Sequence, residues 1–71
     1  MTFAEAVRSV RLANHLSRRE LAEGLQVCDA QLVYRWERGL KKRAPQAVLR
    51  AMWHAEPRFA RMAQEIWRRC T

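Results

Sequence analysis

Cysteine is scarce in this sequence, which has Cys28 and Cys70 as its only two among 71 residues. The two lie far apart, and no CxxC or HxxxH spacing accompanies them. Free thiols in a reducing compartment are therefore the expectation. A zinc site that adds His15 and His54 is a poorly supported alternative. We expect neither a metal nor a cofactor.

Long apolar runs are also missing. No stretch approaches the roughly 20 apolar residues that span a bilayer, and Glu5 and Arg8 interrupt any apolar segment near the N-terminus. We therefore expect a cytoplasmic protein with no membrane partner. Two histidines and two cysteines, without a convergent set of acid, base and nucleophile, also predict that the protein is not an enzyme.

Acidic residues are few, since 7 of them face 14 lysines and arginines and leave a net charge of +7. Such an excess on so small a surface favours a polyanionic partner, with nucleic acid ahead of anionic lipid. The alternative is that the charge serves solubility. Apolar residues at 49% and charged residues at 30% indicate a globular chain, and the length allows one domain, residues 1–71.

Apolar residues recur at helical spacing along most of the chain, and few residues are left for strands. We predict an all-α fold, a compact bundle of five short helices at about residues 3–13, 18–25, 30–38, 45–54 and 57–69. Thr2 with Glu5, and Ser17 with Glu20, form capping boxes that begin the first two helices. The expected inward residues of the fourth helix are Val48, Leu49, Met52 and Trp53.

The segment LSRRELAEGLQVCDAQLVYRWERG, from Leu16 to Gly39, resembles the Cro/repressor-type (XRE-like) helix-turn-helix family. The matching residues are Leu16-Ser17, Leu21-Ala22 and Trp36-Glu37-Arg38-Gly39, and the resemblance covers roughly residues 7–55. It implies a lambda-repressor-like DNA-binding domain whose helix-turn-helix comprises the second and third helices.

The sequence departs from the family pattern in the turn between these two helices. One extra residue separates Ala22 from Trp36, and Gln26 or Val27 stands where a glycine is expected. His15 also occupies a position where the family prefers glycine. Counting forward from Ala22 would move the reading positions by one residue and would put Trp36 outside the core, so we place the extra residue in the turn.

The resemblance implies a role for each part of the third helix. Trp36 belongs to the core, and Glu37 pairs with Arg11, although a solvated Glu37 is the alternative. Base-reading positions fall on Ala30, Gln31, Tyr34 and Arg35, although a phosphate bond or support of the Arg35 side chain is the alternative for Tyr34. A glutamine amide can bond adenine, and an arginine can bond guanine through two N–H groups. Phosphate contacts are expected from Arg18, Arg19, Arg38, Lys41, Lys42 and Arg43.

Members of this family usually bind palindromic operators as symmetric dimers, with half-sites about 34 Å apart. The resemblance therefore implies a small dimeric repressor or autorepressor of phage or mobile-element type, acting on double-stranded DNA. We expect the apolar residues of the fifth helix to divide between the core and a twofold interface: Phe59, Met62, Ile66 and Trp67. The alternative is an antitoxin or other interaction module whose fifth helix docks a protein partner such as a toxin.

Overall fold

All regular secondary structure in the described part of the chain is helical. The computed structural model describes residues 1–40 and 44–70, and it contains five helices and no strand within them. The helices are α1 (Phe3–Ala13), α2 (Arg18–Gly24), α3 (Ala30–Glu37), α4 (Gln46–His54) and α5 (Pro57–Cys70). The all-α prediction is confirmed, with each boundary within one residue of its predicted place. The helices pack into a globule of 25 × 22 × 22 Å.

The first two helices begin at the predicted capping boxes. The Glu5 N–H donates to Thr2 Oγ1 at 3.2 Å, and the Thr2 N–H donates to Glu5 Oε1 at 2.9 Å. The same reciprocal pair joins Ser17 and Glu20, at 3.0 and 2.8 Å. Backbone donors that have no partner inside the helix are satisfied in this way, which sets where α1 and α2 start. No part of these caps depends on the rest of the fold.

The first three helices end in the same hydrogen-bonded turn, a Schellman motif. In each, the residue after the C-cap has positive φ: 57° at His15, 62° at Gln26 and 82° at Gly39. The following N–H reaches back to a carbonyl in the last helical turn, as Val27 does to Ala22 at 3.0 Å. Only Gly39 adopts this backbone without a steric penalty, because the other two carry a Cβ.

The core is built around α1, which packs against both α3 and α5, while α2 packs against α3 and α4 packs against α5. Its largest fully buried side chains are Phe3, Leu21, Ile66, Val7, Val33 and Val48. Trp36 is 2% exposed, and its ring centroid lies 5.6 Å from that of Phe3. The prediction that Trp36 faces inward is confirmed. Burial of such side chains contributes about 1.5–3 kcal/mol each, so this cluster dominates the stability of the domain.

The apolar faces expected for α5 and α4 have different outcomes. Of the four residues of α5 that were expected to divide between the core and a twofold interface, Met62 and Ile66 are 5% and 0% exposed and belong to the core. The prediction that Trp53 faces inward is wrong, because it is 79% exposed, whereas Ala51 of the same helix is buried. Positions 48, 51, 52 and 55 lie on the inner side, and Trp53 falls just outside that stripe.

No helix among the described residues combines the length and the apolar character that a membrane span requires.

Candidate functional site

Helix α3 has two faces of opposite character. Val33 and Trp36 are 0% and 2% exposed, whereas Gln31, Tyr34 and Arg35 are exposed. The side chains of Gln31 and Arg35 form no hydrogen bond with any other described residue. Burial of Trp36 sets the rotation of α3 about its axis. The alternative count forward from Ala22, which puts Trp36 outside the core, is therefore excluded. Two polar side chains, one helical turn apart, are thus presented to solvent.

Ala30 lies at the edge of this outer face. It is half-buried and packs against the core, unlike Gln31 beside it. The turn before it holds Asp29, whose carboxylate accepts the Gln31 N–H at 2.9 Å and caps α3. The segment 25–29 between α2 and α3 contains the positive-φ residue Gln26.

The Arg11 side chain of α1 and the Glu37 carboxylate at the end of α3 form a bidentate ion pair. Arg11 Nε lies 2.7 Å from Glu37 Oε2, and Arg11 Nη2 lies 3.1 Å from Glu37 Oε1. The two side chains are 10% and 3% exposed. Arg11 Nη1 also donates to the carbonyl oxygen of Leu16 at 3.0 Å. The predicted pair is present. Together with the bond to Leu16, it links α1 and the segment before α2 to the end of α3.

Glu37 also accepts a bond that the sequence pattern did not indicate. Arg18 Nε, in the first turn of α2, lies 3.3 Å from Glu37 Oε1. A single buried carboxylate therefore links side chains from α1, α2 and α3. Arg18 was predicted as a phosphate contact, and its side chain is still 42% exposed. The number of its N–H groups lets it bond Glu37 and still present donors to solvent.

Tyr34 contacts two arginines at the edge of the exposed face. The guanidinium carbon of Arg18 lies 5.3 Å from the ring centroid, and that of Arg38 lies 5.6 Å from it. Arg38 Nη1 donates to the Tyr34 hydroxyl at 2.9 Å, and this bond raises the pKa of the Arg38 guanidinium. The distances from the two guanidinium carbons to the ring centroid, 5.3 and 5.6 Å, are in the range of cation–π attraction. We call these three residues the Arg18–Tyr34–Arg38 cluster.

The other predicted phosphate contacts lie outside this cluster. Arg19 pairs with Glu23 one turn along α2, at 3.3 Å, and both side chains are well exposed. Lys41, Lys42 and Arg43 lie outside the described residues. Of the members of the predicted phosphate set that the structure describes, Arg18 and Arg38 are the two that contact the same side chain.

Two features of α5 and its surroundings had no clear signal in the sequence. Phe59 lies over Gly24, so closely that a Cβ at position 24 would overlap its ring. A cavity of about 410 Å³ lies between α1 and α5, with Arg58, Arg61 and Arg69 along one side. Phe59 is half-buried and Trp67 is likewise half-buried, in contrast to Met62 and Ile66.

The histidine, cysteine and acidic side chains of the described residues do not gather into a cluster of metal ligands. No group of three or more His, Cys, Asp or Glu side chains lies close enough there to hold an ion. Cys28 and Cys70 are free thiols, the first exposed and the second half-buried. The exposed face of α3, with the arginines beside it, is the candidate site.

Comparison of the chain with protein-family models, with curated proteins and with solved structures gave no match.

Proposed function

We propose that this chain is a sequence-specific DNA-binding transcriptional regulator in which α2 and α3 form a helix-turn-helix. The observation that carries the proposal is the division of α3 into a buried face, Val33 and Trp36, and an exposed face with Gln31 and Arg35. A helix anchored in this way on a small basic domain has the size and charge to enter the major groove of B-DNA.

Gln31 and Arg35 supply the base-reading chemistry. They are four residues apart, so they project from the same side of α3 about 6 Å apart along its axis. The glutamine amide can bond N6 and N7 of adenine, and the arginine can bond O6 and N7 of guanine. Each such pair discriminates by about 1–3 kcal/mol. Ala30, half-buried at the start of α3, is placed to contact a thymine methyl group.

The surrounding charge supplies the affinity. The chain carries +7, and the guanidinium carbons of Arg18 and Arg38 lie 5.3 and 5.6 Å from the centroid of the Tyr34 ring. The basic segment Lys41–Arg43 follows α3 in the chain. Phosphate contacts of this kind position a protein on the duplex without reading sequence. They also make binding strongly dependent on salt.

We propose further that the regulator acts as a homodimer on a palindromic operator, where occupancy blocks transcription. A dimer with about five phosphate contacts per subunit should give a slope of log K against log salt near −9. Since Met62 and Ile66 are core residues, α5 can offer Phe59 and Trp67, both half-buried, to such an interface.

The deciding experiment is selection of bound duplexes from a random pool, followed by a salt titration on the winning site. The proposal expects enrichment of a palindrome in which one or more positions depend on Gln31 and Arg35. The matched control is Arg50→Gln, which removes one exposed charge of α4 and leaves α3 intact. Failure of the wild-type chain to enrich any sequence would overturn the proposal.

A second candidate function, a protein-interaction module of the antitoxin kind, is favoured by the exposure of Trp53. This side chain is 79% exposed, and Leu40 is 69% exposed. Large exposed apolar side chains are enriched in interfaces. The two functions separate experimentally because Trp53→Ser should abolish capture of a protein partner and leave DNA selection unchanged.

A further inference from the structure

The Arg18–Tyr34–Arg38 cluster combines firmly held side chains with many unused donors. Each guanidinium has five N–H groups. Arg18 uses its Nε–H on Glu37, and Arg38 uses one Nη1 group on the Tyr34 hydroxyl. No other described residue accepts a hydrogen bond from either arginine. Most of the N–H groups of both arginines therefore have no partner among the described residues.

The ring of Tyr34 contacts and restrains both arginines. The guanidinium carbons of Arg18 and Arg38 lie 5.3 and 5.6 Å from its centroid. Tyr34 belongs to α3, and the residue is 43% exposed. Arg18 is also attached to the carboxylate of Glu37, which is held in turn by Arg11. An arginine normally loses considerable side-chain freedom when it binds an anion. Here much of that freedom is already lost in the unliganded chain.

The charges around the cluster favour an anion. Glu37 is the acidic group that contacts Arg18, and Arg11 already bonds both of its oxygens. The sum over Arg11, Arg18, Arg38 and Glu37 is +2. The planar N–H groups of guanidiniums match the oxygens of a phosphate group, and Arg18 and Arg38 both contact the same tyrosine.

We propose that Arg18, Tyr34 and Arg38 form one site for a single phosphate group of the DNA backbone, and that Tyr34 is its positioning residue. Tyr34 then does not read a base, in contrast to the role expected from its place in α3. The proposal rests on the proposed DNA-binding function. Tyr34 does not touch the phosphate itself, and it contributes only by holding the two arginines in place.

The test is a mutant cycle measured on a duplex of 20 base pairs of mixed sequence at 50 mM salt, where phosphate contacts supply the affinity. Tyr34→Leu should weaken binding about 10-fold, because two arginines lose their restraint. Tyr34→Phe keeps the ring and loses the hydroxyl, so about a 3-fold loss is expected. In an Arg18→Gln, Arg38→Gln background, Tyr34→Leu should have no further effect. The matched control is an Arg50→Gln background, in which Tyr34→Leu should still weaken binding about 10-fold.

Two results would overturn the positioning role. One is Tyr34→Leu binding as tightly as the wild type. The other is an equal loss from Tyr34→Leu with and without the two arginines, which would mean that the tyrosine touches DNA itself. Far-ultraviolet circular dichroism and thermal melting of each variant establish that the helices are intact.

A second probe separates this proposal from the proposed function. If the wild-type chain does not bind the duplex, inorganic pyrophosphate is titrated against ¹⁵N-labelled protein, and the Nε–Hε signals of Arg18 and Arg38 are followed. Shifts that saturate in the wild type and weaken at least 3-fold in Tyr34→Leu would sustain the phosphate site while DNA binding fails. Absence of such shifts would overturn the site as well.

Discussion

Arg11 of α1 and Glu37 of α3 are joined by two hydrogen bonds, of 2.7 and 3.1 Å, across 26 positions of sequence. The carboxylate is 3% exposed and also accepts Arg18 at 3.3 Å. Because desolvation offsets much of the Coulomb attraction in such a pair, its main effect is to fix the helices in one arrangement. That arrangement sets the direction in which the outer face of α3 points.

Glu37→Ala should lower the free energy of unfolding by about 3–5 kcal/mol, because it leaves Arg11 charged and nearly buried without its partner. A domain of this length has about 4–11 kcal/mol in total, so this loss is a large part of its stability. The double variant Arg11→Met, Glu37→Met should recover most of the loss. Urea denaturation followed by circular dichroism measures both. Additive losses in the double variant would contradict the coupling.

Gln26→Gly should raise the free energy of unfolding by about 0.5–1 kcal/mol. Gln26 has φ 62°, where a residue with a Cβ is strained by about 1–2 kcal/mol and glycine is not. The greater freedom of glycine in the unfolded chain cancels part of this gain. Gly39→Ala, at φ 82°, is the reciprocal control and should destabilise. A thermal melt in which Gln26→Gly unfolds at a lower temperature would refute the expectation.

Gly24→Ala should destabilise the protein by about 1 kcal/mol, although alanine is the better helix former by a similar amount. The added methyl group would overlap the ring of Phe59, and the cost of overpacking, about 1–3 kcal/mol, exceeds the gain. In a Phe59→Ala background the same substitution should become neutral or stabilising. Denaturant titration of the four chains tests this reversal, and the same sign in both backgrounds would disprove it.

Acid should destabilise the protein because it protonates carboxylates that cap helices or bond arginines. Hydrogen bonds from Thr2, Ser17 and Arg69 lower the pKa values of Glu5, Glu20 and Glu65, respectively, below the ordinary 4.5. Because each pKa is lower in the folded chain, the stabilisation is complete above about pH 4.5 and is lost as the pH falls through the folded values.

Glu20→Gln provides the test of this pH dependence. Melting temperatures measured from pH 7 to pH 2 should fall less steeply for the variant, because one of the groups that take up a proton on unfolding has been removed. A decline as steep as that of the wild type would show that the Ser17–Glu20 box does not contribute.

Arg35→Ala should relax base preference at one position of each half-site, at a cost of about 1–3 kcal/mol on the preferred sequence. Lys42→Ala, in the basic segment after α3, should instead weaken all sequences alike and reduce the salt slope by about one unit per subunit. Selection of bound duplexes with each variant separates the two effects. Unchanged base preference in Arg35→Ala would contradict the placement of the reading face.

Tertiary packing decided the features of the site that link distant residues. The Arg18–Glu37 bond spans 19 positions, and Gly24 faces a ring 35 positions later. Trp53 and Ile66 have similar apolar character in the sequence, yet one is 79% exposed and the other 0%. Periodicity gives the angle of a residue around its own helix. Which side of that helix the other helices cover depends on how all of them pack.

The sequence by itself determined the local order: five helices, the capping boxes at Ser17 and Thr2, and the inward turn of Trp36. Caps involve residues within about four positions of one another, so composition and spacing suffice to predict them, whereas the inner face of α4 was predicted wrongly at Trp53. The contact of Arg38 with Tyr34 is also local, because the two are four positions apart. The approach of Arg18 to Tyr34 required the packing of α2 against α3, because no local pattern relates residues on separate helices.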